Sequence, residues 1–380
     1  MTVQGAGIVD MLVTTTRSRS PVPGVVYSGN RGSGVSVDNV VVSVPPAGNR
    51  IAGSLTYPTA NDVDPRTEFA VLSLGPMNRQ LSMDWFDRVA GARKDGDVLI
   101  FVHGFNTTYE ESVFRFAQIA HDTATSAAPI LFSWPSSGSL FDYLYDRESA
   151  NFSRTALEQL IESAADSPRV RNVTIMAHSM GSWLTMEALR QLAIRRGALS
   201  AKIRNVILAS PDLDIDVFDQ QLDEIDTNRT KLTIFASTDD RALQVSQRLA
   251  GGVQRLGSVD LSQEPFRSEI EAKGVDVIDL SALQANSSLN HTKFAESPRI
   301  VQLIGQRLIE GQKISNSDLS IGETLGAAAL GTAQTVGAAA GAVVTAPGAL
   351  VSRRGRDAFE RQIGNVGRNL GGTLQTATGR

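Results

Sequence analysis

The chain has 380 residues, 42% of them hydrophobic and 20% charged, which suffices to bury a sizeable core as one large domain or two smaller ones and excludes a disordered or fibrous protein. A formal net charge of -4 is small for this length, so no global field favours nucleic acid or an acidic polymer as partner. With no cysteine, disulfides, a thiolate nucleophile, cysteine-bound zinc and a lipidated cysteine are all excluded.

The N-terminal run "MTVQGAGIVDMLVTTTRSRSP" lacks a basic start followed by a long apolar stretch, so no export signal is visible and the default expectation is cytoplasmic. Residues 1–37 are read as an N-terminal extension. Residues 38–94 hold short β-like runs, "NVVVSV", "IAGSLTY" and "FAVLSL", between Pro, Gly and Asn turns, and predict a β-rich opening. Residues 95–312 alternate apolar strand-like runs with amphipathic helical ones, the pattern of an α/β domain with a mostly parallel central sheet flanked by helices. The predicted strands are "VLIFV", "PILFSW", "VTIMA", "NVILAS", "KLTIFAS" and "VDVIDLS". Between them, Phe152, Ala156, Leu160 and Ala164 recur every four residues, as do Leu184, Ala188 and Leu192, and each set is expected to line one helix face.

The stretch "VTIMAHSMGSW" sets Ser179 at the end of an apolar run among small residues. A serine placed where a buried strand turns sharply into a helix projects its oxygen above the carboxyl edge of the sheet, and small neighbours let the backbone bend that tightly. Here Ala177 stands where G-x-S-x-G has its first glycine. The helix beginning near Gly181 offers unpaired N–H groups and a dipole that favour an oxyanion, which makes Met180 N–H one expected donor. In "VLIFVHGFNTT", Gly104 lets a loop bring its backbone close. The second donor is assigned to Phe105 N–H, with Asn106 as its neighbouring candidate.

A serine hydroxyl needs a base, and there are four histidines. His103 precedes the oxyanion loop, His121 sits in a helical pattern, and His178 adjoins the serine with its ring expected to face away. His291, in "SSLNHTKFAESP", is the one that follows the serine, placed after the final strand where a base is needed. A carboxylate must fix the imidazole tautomer and stabilise its protonated form. "KLTIFASTDDRAL" points to Asp240, with Asp239 as substitute, and "NVILASPDLDIDVF" offers Asp212 or Asp214 as rivals from the preceding strand. The chain order Ser179, Asp240, His291 is that of the α/β-hydrolase fold.

The runs "FVHGFNTTYEESVFRFAQIAHD", "LFSWPSSGSLFDYLYDRESA", "MAHSMGSWLTMEALRQLA", "ASPDLDIDVF" and "LNHTKFAESP" resemble a bacterial α/β-hydrolase family once catalogued as domain of unknown function 900, a lipase/esterase-like group. The resemblance covers roughly residues 38–312. It implies a Ser-Asp-His hydrolase, with the family's nucleophile on Ser179 and its base on His291. Where that family often continues "HSMG" with asparagine, this chain has Ser182.

The expected reaction is cleavage of a small-molecule or lipid ester through an acyl-enzyme. Amide, thioester or acyl-transfer chemistry on the same triad, or a non-catalytic module of this fold, are the alternatives. "SWPSSGSLFDYLYDRESA" opens onto the same edge, so Trp134, Phe141, Tyr143 and Tyr145 are candidate pocket walls, with Asp146 and Arg147 paired at the rim. The acidic residues form no metal-ligand spacing with histidine and no Gly-rich phosphate loop follows a strand, so no metal and no cofactor are expected. Residues 313–380 read as a Gly/Ala-rich tail outside the fold. Within it Thr324 to Ser352 carries no charge, and Phe359, Ile363, Val366 and Leu370 recur among arginines. Membrane association through residues 324–370 is therefore the alternative to a cytoplasmic location.

Overall fold

The structure is a computed structural model that describes residues 3–305, apart from 24, 59–62, 90–95, 140–141, 261–265 and 284–288. Its centre is a nine-stranded sheet of order β3-β2-β1-β5-β4-β6-β7-β8-β9. The strands are β1 (Gly7–Arg19), β2 (Tyr27–Val44), β3 (Ala70–Pro76), β4 (Asp97–Val102), β5 (Ala128–Ser133), β6 (Asn172–His178), β7 (Ile203–Ala209), β8 (Lys231–Ala236) and β9 (Val275–Asp279). Strands β1 to β3 pair antiparallel, while every pairing from β1 across to β9 is parallel. All six strands expected between residues 95 and 312 form.

The central strands are unbroken apolar runs because helices cover both faces of the sheet. In β4, Val98, Ile100 and Val102 pack into one layer of the core, and Leu99 and Phe101 into the other. Each such fully buried side chain contributes on the order of 1.5–3 kcal/mol. Helix α1 (Arg79–Val89) precedes β4, and the helices that position the site are α2 (Tyr109–Asp122), α3 (Tyr143–Asp166), α4 (Met180–Arg196), α5 (Ile215–Leu222) and α6 (Arg241–Leu249). Helix α2 starts at a capping box in which Thr108 Oγ1 accepts from Glu111 N and the Glu111 carboxylate accepts from Thr108 N.

Three expectations are corrected. Residues 7–19, assigned to an N-terminal extension, form β1 inside the sheet, paired in parallel with β5 from Leu12–Ile130 to Thr15–Ser133. Their polar end escapes a hydrophobicity pattern because its burial is satisfied by hydrogen bonds, Thr15 Oγ1 to Ser133 O at 2.6 Å and Thr16 Oγ with Ser153 Oγ at 2.8 Å. The run "IAGSLTY" is not a strand: residues 51–57 are irregular, and Gly53, at φ 86°, lies so close to Glu296 that a Cβ would sit 2.3 Å from its carbonyl oxygen. On α3 the buried stripe is Ser153, Leu157, Ile161 and Ala164, whereas Phe152 is exposed under the Arg31 guanidinium. Serines buried with hydrogen-bond partners moved that face one residue from the apolar reading.

The tail that carried the membrane alternative lies outside the described residues. Among the described residues no helix is long and apolar enough to cross a membrane.

Candidate active site

Strand β6 delivers Ser179 to the carboxyl edge of the sheet. Ser179 takes φ 53° and ψ -124°, a conformation that L side chains rarely adopt, and α4 begins at the next residue. The turn is held from three directions: Ser179 N donates to Ala209 O at 3.0 Å, and Ser179 O accepts from Ser182 N at 2.9 Å and Asp212 N at 3.2 Å. The small neighbours have a steric cause. A Cβ at Gly181 would lie 2.3 Å from His103 O, and one at Gly104 would lie 2.8 Å from Ser179 Cβ. The loop after β4 therefore rests directly on the serine.

That loop presents one free donor and one engaged donor. Asn106, at φ 55°, gives its N–H to Asp146 Oδ2 at 3.3 Å, while the Phe105 N–H has no acceptor among the described residues. Met180 is the first residue of α4, so its N–H has no partner within the helix. The Phe105 N–H is thus unengaged among the described residues and that of Met180 has no intrahelical partner, whereas that of Asn106 is taken.

The expected base and the expected acid meet across 51 residues of sequence. His291 Nδ1 lies 2.7 Å from Asp240 Oδ2, and the carboxylate is fully buried. Asp240 also caps α6, its Oδ1 accepting from Leu243 N at 3.0 Å, so each oxygen has its own task. The Nδ1–H tautomer that this contact requires leaves His291 Nε2 as a proton acceptor. Burial pulls the His291 imidazole down, but the charge and hydrogen bond of Asp240, with Asp212 adding, outweigh it and raise the ring above its ordinary value. The Ser179 hydroxyl makes no hydrogen bond to a described residue.

The other acid candidates serve elsewhere. Asp239 Oδ1 accepts from Lys293 Nζ at 2.7 Å and its Oδ2 from Asn290 Nδ2 at 2.8 Å, which ties both flanks of His291 to the end of β8. Asp214 caps α5. Asp212 binds Ser246 Oγ at 2.5 Å, Tyr143 Oη at 3.1 Å and Arg255 Nε at 3.3 Å in a buried cluster behind the serine.

The expected pocket is largely corrected. Trp134 is fully buried, stacked on His103 at 5.0 Å with Nε1 donating to His103 O at 2.8 Å, so it supports the loop from below. Asp146 is buried too, and Arg147 lies over the Trp183 ring rather than pairing with it. Tyr145 reaches Gly29 O. Tyr143 stays beside the site, edge-on to Phe105 at 5.4 Å. Phe141 lies outside the described residues. Among the described residues no group of three His, Asp or Glu side chains has the arrangement of a metal site.

Three contributors escaped the sequence reading. His178 does not turn away: its ring lies 4.6 Å from that of His291 and 4.8 Å from Phe294, and its Nε2–H donates to His291 O at 3.2 Å. Lys293 is buried, its ammonium donating to Ser237 Oγ and Leu280 O as well as Asp239. Arg17 arrives from β1 against the loop that follows β4. Only the adjacency of His178 to Ser179 was a signal, and spacing alone cannot say which way a side chain at a strand end points.

Residues 79–307, more than half of the chain, match the family described as alpha/beta hydrolase of unknown function (DUF900). The chain belongs to that family. An uncharacterized protein of Nostoc sp. is 28% identical over 136 aligned residues, covering 28% of this chain and 35% of that protein. The chain thus spans about a third of the length of the curated relative it matches. Among solved structures it is similar to a lipase-esterase related protein from Clostridium acetobutylicum (12% identity, 55% of this chain and 93% of that one, TM-score 0.30). It is also similar to an esterase from Pyrococcus furiosus (12% identity, 62% and 84%, TM-score 0.31). The family and the sheet make the chain an α/β-hydrolase.

Proposed function

We propose that this α/β-hydrolase is a serine esterase of the lipase-like kind, with Ser179 as nucleophile, His291 as base and Asp240 as the acid that orients it. The observation that carries the reading is the His291–Asp240 contact of 2.7 Å at the sheet edge where β6 turns through the strained Ser179. His291 Nε2 takes the hydroxyl proton as Ser179 Oγ attacks an ester carbonyl, a transfer that requires the serine–histidine contact to tighten when substrate binds. Phe105 and Met180 N–H groups hold the oxyanion. The imidazolium, steadied by Asp240, returns its proton to the leaving alcohol, and water then releases the acid by the same sequence of steps.

A panel of p-nitrophenyl esters of increasing chain length, assayed beside a fluorophosphonate probe, tests this. Labelling at Ser179 with turnover that Ser179→Ala abolishes is the expected result. Equal hydrolysis by both forms removes the mechanism, and an unlabelled Ser179 favours a non-catalytic module.

A further inference from the structure

The oxyanion loop is gripped from two sides by buried charge. From below, the Arg17 guanidinium donates from Nη2 to Thr107 O at 2.7 Å, from Nη1 to Ser136 O at 2.9 Å and from Nε to Ser133 Oγ at 3.0 Å. From the other side Asp146, the fourth residue of α3, accepts Asn106 N at 3.3 Å, Ser137 N at 2.8 Å and the Ser136 hydroxyl. Ser136 joins the two, since its Oγ also accepts from Thr107 N at 3.0 Å. Arg17 is 2% exposed and Asp146 fully buried.

Burying an ion costs several kcal/mol, and Arg17 and Asp146 meet through Ser136 and the loop backbone rather than as an ion pair, so a contribution to stability is a poor reason for either. Here the hydrogen bonds of both ions converge on the backbone of residues 106–107 and 136–137. The residue between this fastened stretch and Gly104, which rests on Ser179 Cβ, is Phe105. An oxyanion donor acts only when held within about 0.5 Å of its working position. Arg17 also lies on β1, outside the residues 79–307 that match the family.

We propose that Arg17 and Asp146, bridged by Ser136, are positioning residues that lock Asn106 and Thr107 and thereby fix the Phe105 N–H against Ser179. The inference rests on the serine esterase reading for its catalytic consequence but not for its structural one. Asp146→Asn keeps the size of the side chain and replaces one accepting oxygen by a donor. Amide exchange across residues 104–108 should quicken at least about tenfold with that of β6 and α4 unchanged. For p-nitrophenyl acetate, kcat per titratable Ser179 should fall at least about tenfold, towards the roughly 10²–10³-fold of losing an oxyanion donor outright, with KM changed by less than about threefold. Affinity for an arylboronic acid, which forms a tetrahedral adduct, should fall in step with kcat. Ser136→Ala, less demanding on folding, should reproduce the pattern more weakly.

Exchange at residues 104–108 that stays at the wild-type rate in both variants overturns the clamp. Faster exchange with kcat and boronate affinity untouched overturns its link to catalysis. If wild-type Ser179 takes no fluorophosphonate, the esterase reading fails instead, and the exchange measurement still decides whether the clamp exists.

Discussion

The Nε2–H of His178 donates to the backbone carbonyl of His291 at 3.2 Å, so the residue before the proposed nucleophile holds the loop of the proposed base. The two rings lie 4.6 Å apart, and burial together with the charge of His291 keeps His178 well below the ordinary imidazole range, hence neutral. His178→Phe keeps a ring against Phe294 but removes the donor. Turnover of p-nitrophenyl acetate should fall about fivefold while the fold persists, since one neutral hydrogen bond is worth about 1 kcal/mol. A kcat equal to that of wild type would show that His291 keeps its place without His178.

The adjacent aspartates should separate by readout. Asp240→Asn removes the group that orients His291 and should lower kcat by roughly 10³–10⁴-fold. Asp239→Asn leaves the buried Lys293 ammonium with neutral acceptors and should lower stability by about 1–3 kcal/mol, with kcat per folded molecule within about tenfold of wild type. Urea titrations and kcat for the two variants check this, and a reversed pattern would hand the acid's role to Asp239.

The backbone of Ser179 offers a test that needs no substrate. A non-glycine residue at φ 53° and ψ -124° costs on the order of 1–3 kcal/mol. Ser179→Gly should raise the unfolding free energy by about 1 kcal/mol after the added chain entropy of glycine is subtracted, seen as a higher urea midpoint, while abolishing hydrolysis. A lower midpoint would mean that the elbow is not strained.

Activity and stability should respond to pH through different histidines. A base must be neutral, and Asp240 holds His291 above 6.5, so kcat/KM should rise with pH through a value above 6.5. Burial, with Arg17 adding, pushes His103 down to about 3, and burial keeps His178 low as well. For these two the unfolded chain binds protons that the folded one refuses. Their stabilisation is therefore complete above 6.5 and is lost as pH falls below it, by at most about 1.4 kcal/mol per pH unit each. His291 works oppositely: its stabilisation is present below 6.5 and lost as pH rises through its raised value. Glu110, which burial pushes up to about 7, works in the same sense as His291, so the contribution of a low histidine is read by difference: the loss of unfolding free energy between pH 7.5 and pH 5.5 should be about 1–1.5 kcal/mol smaller in His178→Phe than in wild type. The same pH dependence in His178→Phe and wild type would contradict the neutral burial of His178.

The amino-acid sequence by itself determined the parallel core of the sheet, because strands covered on both faces are written as continuous apolar runs such as "VLIFV" and "VTIMA". It also marked the elbow, because the turn at Ser179 leaves no room for a Cβ at Gly181. Tertiary structure alone decided that β1 belongs to the sheet, that Asp240 rather than Asp239 meets His291, and that His178, Lys293, Arg17 and Asp146 hold the loops of the site. These are polar groups whose burial is satisfied by partners that include ones 40 to 119 residues away, and local patterning carries no information about which of two neighbouring side chains will turn toward a partner that distant.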